Sequence, residues 1–305
     1  MIAIIKKTGE CMLLKLILCT SLLLSFNLHA KKADLNSSKL KKNSITFREI
    51  KEHKKNINKK KKEPKFNLAS TNGKFLFMFY HAKTKEDIAK IKMKVFASDG
   101  KAIPAIIEVM KSNVYPDKNR WLATFLLGRT MGKKSGAFIS KFLSHPNWVL
   151  RMASLKTLLA LRAKKYGMGF ARLLKDKSFI VRTQALENIK QLKLREYSPY
   201  IWQMLYDKSN YYSTQKKIKK SKVSSGKQKP KSTTIVKNII LAIGDLQFLK
   251  AKGPLLKMAG KKKYIDIFDE IDYSLTRITG KKSPAGPLSV KKRYWKRVSM
   301  SEAKI

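Results

Sequence analysis

The chain has 305 residues, 43% of them apolar, which suffices for one or two domains with a buried core and excludes a globally disordered polymer. Its 68 Lys and Arg against 20 Asp and Glu give a formal net charge of +48, a self-repulsion that calls for a polyanionic partner without naming one. Only 11 of the basic residues are Arg; a bias toward AT-rich codons accounts for that preference for Lys, but not for the shortage of Glu.

The N-terminus carries the most specific compositional signal. Lys6, Lys7 and Lys15 precede the apolar run Leu16 to Phe26, and "NLHA" leads to Ala30. A basic region, a short apolar region and a small residue at a cleavage point form the pattern of a secretory signal. The run is too short to span a bilayer, which takes about 20 apolar residues. Cleavage after Ala30 is the expectation, with residues 1–30 as signal peptide. Met12 is an alternative start. Leu28 is large for its place, and a retained N-terminal anchor or a lipid anchor on Cys19 are the competing readings. Both cysteines, Cys11 and Cys19, lie in this leader, so a chain cleaved there holds no disulfide and no thiolate site.

Residues 31–73 read as a flexible cationic arm, because few apolar residues occur and none recurs with a helical period. Its densest block is Lys59, Lys60, Lys61 and Lys62. The folded part is expected to open at "KFLFMFY", Lys74 to Tyr80. Thr84 with Asp87 three residues on has the form of a helix start, and Ile88, Ile91 and Val95 share a face. "GKAIPAIIEVM" supplies a second helix.

An internal period then emerges. Arg120, Arg151 and Arg182 fall at successive steps of 31 residues, as do Ala123, Ser154 and Ala185, and Leu127, Leu158 and Ile189. Second helices are expected at "SGAFISKFLSHP", around Phe170, and at "SPYIWQML" with Pro199 in its first turn. Asp176 and Asp207 keep the same step, each opening "DKS". The register breaks at a basic insertion, 208–233, which contains Lys216, Lys217, Lys219 and Lys220, and resumes at "IVKNIILAIG" with Lys237 in the Arg place. The offset of 55 from Arg182 is one step of 31 plus 24 inserted residues. "GPLLKMAG" and "YIDIFDEIDYSLTRITG" are the last periodic helices. Residues 281–305 form a basic, poorly periodic tail, read either as a second arm or as a cap over the last helix.

Helix pairs recurring at about 30 residues with small residues at the crossings indicate an α-solenoid. In "DKSFIVRTQAL" the order of Asp, "VR", a small residue and Leu resembles the first helix of HEAT repeats in their short form. The resemblance implies an all-α, right-handed α-solenoid of about five HEAT-like helix pairs over residues 74–280. It also implies that the Asp and Arg link successive repeats, which makes Arg120, Arg151, Arg182, Asp176 and Asp207 structural. His145 and Val114 stand where the family has Asp, and Lys237 replaces Arg, so the ladder is expected to be incomplete.

No HExxH, nucleophile elbow, phosphate loop or paired-cysteine spacing occurs, so the chain carries no catalytic motif, and no cofactor or metal site is expected. The acidic cluster Asp266, Asp269, Glu270 and Asp272 is read as local compensation of neighbouring lysines. Candidate contacts to anionic surfaces are the two Lys blocks above and the tail residues Lys291, Lys292, Arg293, Trp295, Lys296 and Arg297, where an aromatic ring amid cations suits lipid headgroups or bases. Tyr211, Tyr212 and Tyr294 have the same character, whereas Trp121, Trp148 and Trp202 follow helical spacing and are expected in the core.

Three functions compete at this level. One is an exported, non-enzymatic scaffold in the periplasm or outside the cell, holding a protein or envelope partner, such as lipid headgroups or a wall polymer, through its concave face and Lys-rich segments. Another is a nucleic-acid-binding protein, extending to a DNA glycosylase of the HEAT-like kind. The third is an inhibitor or chaperone-like partner of an acidic envelope protein.

Overall fold

Short polar caps and turn residues cut the apolar sequence into helices of moderate length. The computed structural model describes residues 64–211 and 234–302, which are all-α, with no β-strand among them. Helix α1, Thr71–His81, starts where the Ser70 hydroxyl accepts the Gly73 N–H at 2.9 Å. Helix α2, Lys85–Phe96, is opened by a full capping box, with Thr84 Oγ1 accepting from Asp87 N and Asp87 Oδ2 accepting from Thr84 N. Helix α3, Ile103–Lys111, has Pro104 in its first turn, where no N–H is missed.

From there longer and shorter helices alternate. The longer ones are α4, Asp117–Met131, α6, Trp148–Ala160, α8, Phe179–Gln191, α10, Thr234–Asp245, and α12, Phe268–Thr279. The shorter ones are α5, Gly136–Lys141, α7, Gly167–Leu173, α9, Ser198–Gln203, and α11, Lys252–Ala259. Helix α13, Leu288–Glu302, ends the described chain.

Packing is serial. Helix α4 lies on α6, α6 on α8, α8 on α10 and α10 on α12, while α5, α7, α9 and α11 each lie on the longer helix that follows. The 31-residue step sets which side chains make this seam: Ala123, Ser154 and Ala185 are buried at one level, and Leu127, Leu158 and Ile189 at the next. Small residues at the first level let the backbones approach. Each aliphatic side chain at the second contributes about 1.5–3 kcal/mol by leaving water.

Helices α5 and α7 start at glycines for a reason of close approach. A methyl group on Gly136 would stand 3.1 Å from the Tyr166 ring, and one on Gly167 only 2.3 Å from the Tyr197 ring. Both pairs repeat the step of 31, so each tyrosine seals the start of the short helix in the preceding pair.

Two expected boundaries move. The folded part begins before Lys74, because Phe66 meets the rings of Phe77 and Tyr80 at centroid separations of 5.7 and 5.5 Å. The insertion expected from 208 begins with structure, a 3-10 turn over Lys208–Asn210 in which Asn210 is fully buried. The basic tail, read either as a second arm or as a cap over the last helix, contains α13, which packs on α11 with Trp295 at 0% exposure. The expected signal peptide, most of the expected N-terminal arm and residues 212–233 of the insertion lie outside the described residues, as do Tyr212 and the Lys blocks at 59–62 and 216–220.

Candidate functional site

The three spaced arginines sit one turn into α4, α6 and α8, where their stems lie in the seam and their heads turn toward the loop that ends the same pair. Arg151 is the most completely bonded. Its Nε and Nη2 donate to the two oxygens of Asp176 at 2.7 and 2.8 Å, and its Nη1 donates to the carbonyls of His145 and Pro146 at 2.7 and 2.8 Å. Asp176 Oδ1 also accepts the Ser178 N–H at 2.7 Å, so that carboxylate is saturated by a bidentate guanidinium and a helix start.

Arg182, only 4% exposed, uses other partners. Its Nε donates to Asn210 Oδ1 at 2.9 Å, its Nη2 to the Ser209 carbonyl at 3.2 Å and its Nη1 to the Asp176 carbonyl at 2.7 Å. Asp207, the spaced counterpart of Asp176, instead caps the Ser209 N–H at 2.8 Å, and hydrogen bonding from the Ser209 hydroxyl first and this N–H second holds its carboxyl below the ordinary range. Asn210 was missed in the sequence because it sits three residues beyond the expected place, inside what read as insertion.

Arg120 donates to the Met110 carbonyl at 3.1 Å and lies 3.4 Å from His145 Nε2, the residue that replaces Asp in this pair. The other ring nitrogen of His145, Nδ1, lies 3.0 Å from the Asn147 N–H. With an N–H donor facing both nitrogens, added charge on the ring is disfavoured. Burial first and the Arg120 guanidinium second hold the His145 pKa below the free-imidazole value.

His145 and Pro146 separate two surface hollows. The larger, about 800 Å³, is lined by the Arg151–Asp176 pair, Tyr166, Met168 and Arg172, with Lys165, Lys175 and Lys177 around it. The smaller, about 540 Å³, lies between Lys111, Asn113 and Arg120. In the larger hollow the only carboxylate is already bonded by Arg151, leaving a cationic rim with an apolar floor. Among the described residues no three His, Cys, Asp or Glu side chains converge as metal ligands would.

Helix α13 divides its predicted contact residues into two sets. Trp295 donates from Nε1 to Asp272 Oδ1 at 2.7 Å, and Lys291 Nζ donates to Asp272 Oδ2 at 3.0 Å. Lys292 stands over the Phe268 ring at 5.7 Å. These three therefore fasten α13 to α12. Trp295, expected as a headgroup or base contact, is corrected to a core residue: it brings the largest apolar surface in a polar helix and has a buried acceptor for its N–H. Arg293, Lys296 and Arg297 are exposed along the opposite face.

Asp272 thereby leaves the group of charge-compensating acids. Burial pushes its carboxyl up, but hydrogen bonds from Ser283, Trp295 and Lys291 outweigh that and hold it below the ordinary range. Its neighbour Glu270 pairs with Lys237 at 2.9 Å. Tyr211, expected at the surface of the insertion, is half-buried with its hydroxyl donating to the Leu205 carbonyl at 2.8 Å. Among the expected core tryptophans, Trp121 is buried while Trp148 and Trp202 are half-buried.

No protein-family model matches the chain, and no curated protein is significantly similar to it. No helix among the described residues is long and apolar enough to cross a membrane.

Proposed function

We propose that the chain is a non-enzymatic binding scaffold: a right-handed α-solenoid of about five HEAT-like helix pairs, exported after cleavage at Ala30. It attaches to an anionic surface of the cell envelope and holds a protein or envelope partner on its concave face. Serial packing of the helix pairs supports the solenoid, and the 31-residue step of Arg120, Arg151 and Arg182 supports the kinship with HEAT repeats.

The single observation that carries the attachment is the sorting of charge on α13. Lys291 and Trp295 are spent on Asp272, while Arg293, Lys296 and Arg297 point together to solvent. Juxtamembrane cations contribute about 1 kcal/mol each near anionic lipid, so three on one face act together, and a salt-sensitive attachment follows. The Lys blocks at 59–62 and 216–220 add to it.

Two measurements test this reading. The mass of the N-terminus from native cells, with fractionation, should give a start at Lys31 in the envelope or medium; an intact start in the cytoplasm overturns export. Cosedimentation with vesicles rich in phosphatidylserine should be strong at low salt, and the R293S/K296S/R297S variant should lose on the order of a hundredfold in affinity. Equal binding to neutral vesicles overturns the attachment. Binding to duplex DNA but not to vesicles would transfer the role to nucleic acid.

A further inference from the structure

Among the described residues, the turn joining the two helices of each pair passes through a residue of positive φ. Asp99, Gly132, Arg162, Lys193 and Gln247 all have a positive φ, between 45° and 56°, although Gly132, with ψ −139°, departs from the left-handed helical turn. In the last three pairs the residue after it closes the same bond, Ala163 N–H to the Leu158 carbonyl, Leu194 to Ile189 and Phe248 to Ile243, at 3.0 to 3.1 Å. This is the Schellman helix stop, at which glycine is the cheapest occupant. The chain places Arg162 and Lys193 there, both exposed, at a conformational cost of about 1 kcal/mol each.

Just beyond each stop come further exposed cations: Lys133, Lys134, Lys164, Lys165, Arg195 and Lys250. Lys133, Lys164 and Arg195 keep the step of 31, and Lys250 follows Arg195 by 55, the same offset that the insertion imposes on the cores. The turns also touch. The Tyr166 and Tyr197 rings close on Gly136 and Gly167 of the preceding pair, and Arg195 Nη2 donates to Gln247 Oε1 at 3.0 Å across the insertion. Repetition in sequence therefore becomes a continuous file of positive charge along one edge. Glu196 is the one acidic residue in the turns from Gly132 to Ala251.

We infer that this edge binds a single linear phosphate polymer that carries no bases, laid across successive turns. A file of cations suits a chain better than a plane. Most of its members are Lys, which meet phosphate as point charges without bidentate selection. No stacking platform accompanies them, because the two tyrosines in the file have their rings against glycines and Lys165 stands over one of them at 5.1 Å. The inference rests on the serial-packing part of the proposed function and is independent of export and of α13.

The test is titration of the full chain with long-chain inorganic polyphosphate, tripolyphosphate and oligo-dT across a salt series. Variant K133Q/K134Q/K164Q/K165Q removes four charges from the file; K83Q/K85Q/K90Q/K94Q removes four exposed charges on and beside α2 and leaves the file intact. Long polyphosphate should bind the native chain at least tenfold tighter per phosphate than tripolyphosphate. The first variant should lose at least tenfold in affinity and flatten the salt slope, by about 0.7 for each contact removed, while the second changes affinity less than threefold. Unchanged helical circular dichroism and melting in both variants keeps folding out of the result. Equal losses in the two variants overturn the inference in favour of diffuse charge, and tighter binding of oligo-dT than of polyphosphate overturns it in favour of nucleic acid. Vesicle binding that survives in the first variant separates this edge from α13.

Discussion

The middle of the chain and its C-terminal quarter both join one long helix to the next, but they use different groups to do so. From α4 to α8 the seam is held by arginines at a fixed step, each bonded to groups at the ends of neighbouring helices, and by Arg151 and Asp176 in particular. Beyond the insertion the Arg place holds Lys237, whose side chain is 41% exposed and whose ammonium reaches the largely buried Glu270. There the buried polar centre is Asp272, which binds a helix lying outside the periodic pattern. The middle is stapled from within, and the end is closed by a lid.

The largest effect is expected at the lid. Trp295→Ala removes a fully buried ring and leaves the Asp272 carboxylate short of a donor, for a loss of about 3–5 kcal/mol in the packing of α13. Limited proteolysis should then cut between Gly280 and Leu288 while the melting of the rest is nearly kept. Loss of the whole fold in one step would instead mean that the end is not separable from the middle. Asp176→Ala should rank next, because it strands the Arg151 guanidinium with only two carbonyls. About 2–3 kcal/mol is expected from thermal or urea unfolding.

Acid should separate the two regions in order. The His145 pKa is depressed by burial and by Arg120, so the unfolded chain takes up its proton first, and stability of the middle declines as pH falls below about 6.5. The Asp272 carboxyl is also depressed, so its contribution is complete above about 4 and is lost as pH falls further. Hydrogen exchange read along the chain from pH 7 to pH 3 should show α4 and α6 loosening before α13. The reverse order would place the controlling titration elsewhere.

How far the sequence could be read follows the same division. The period of 31 was legible because serial packing asks for the same small, apolar and Arg residues at each step; it marked Arg151 and Asp176 separately, and the link between an Arg and an Asp was what the HEAT resemblance implied. Arg182 and Asp207 were matched by the same arithmetic, yet the guanidinium goes to Asn210, since the chain beyond Asp207 turns once more before the insertion. Helix α13 was legible only as one of two readings of the tail, an arm or a cap, because a lid needs only one strip of apolar contact: Trp295 and Val298 are buried in an otherwise polar helix, too few for a period. Its partner Asp272 was hidden among acids that do face lysines. The matched Gly136 and Gly167 with Tyr166 and Tyr197 were present at the step of 31, but a glycine's role shows only when the ring above it is seen.

Asp207→Ala tests whether that departure matters. Asp207 only caps the Ser209 turn, while Arg182 is satisfied by Asn210, so the expected cost is that of a lost cap, about 1 kcal/mol. Asn210→Ala should cost more, since it removes the side-chain acceptor of a guanidinium that is 4% exposed and unpairs a buried turn. If the two ranked the other way in urea unfolding, the regular Asp would still be the working partner of Arg182.

The smallest effect is expected at Lys237, and it sharpens the contrast most. Its bond to Glu270 raises the lysine pKa, but the lysine side chain is 41% exposed, and exposed pairs of this kind contribute about 0–1 kcal/mol after screening. Lys237→Ala should therefore shift the melting temperature little, and less still in high salt. Lys237→Arg restores the residue of the earlier pairs without restoring their carbonyl and carboxylate acceptors. It should leave stability within about 0.5 kcal/mol of the native chain, as surface substitutions usually do. A gain of the size that Asp176→Ala costs would mean that the seam continues through the insertion after all, with the lid an addition to it and not its replacement.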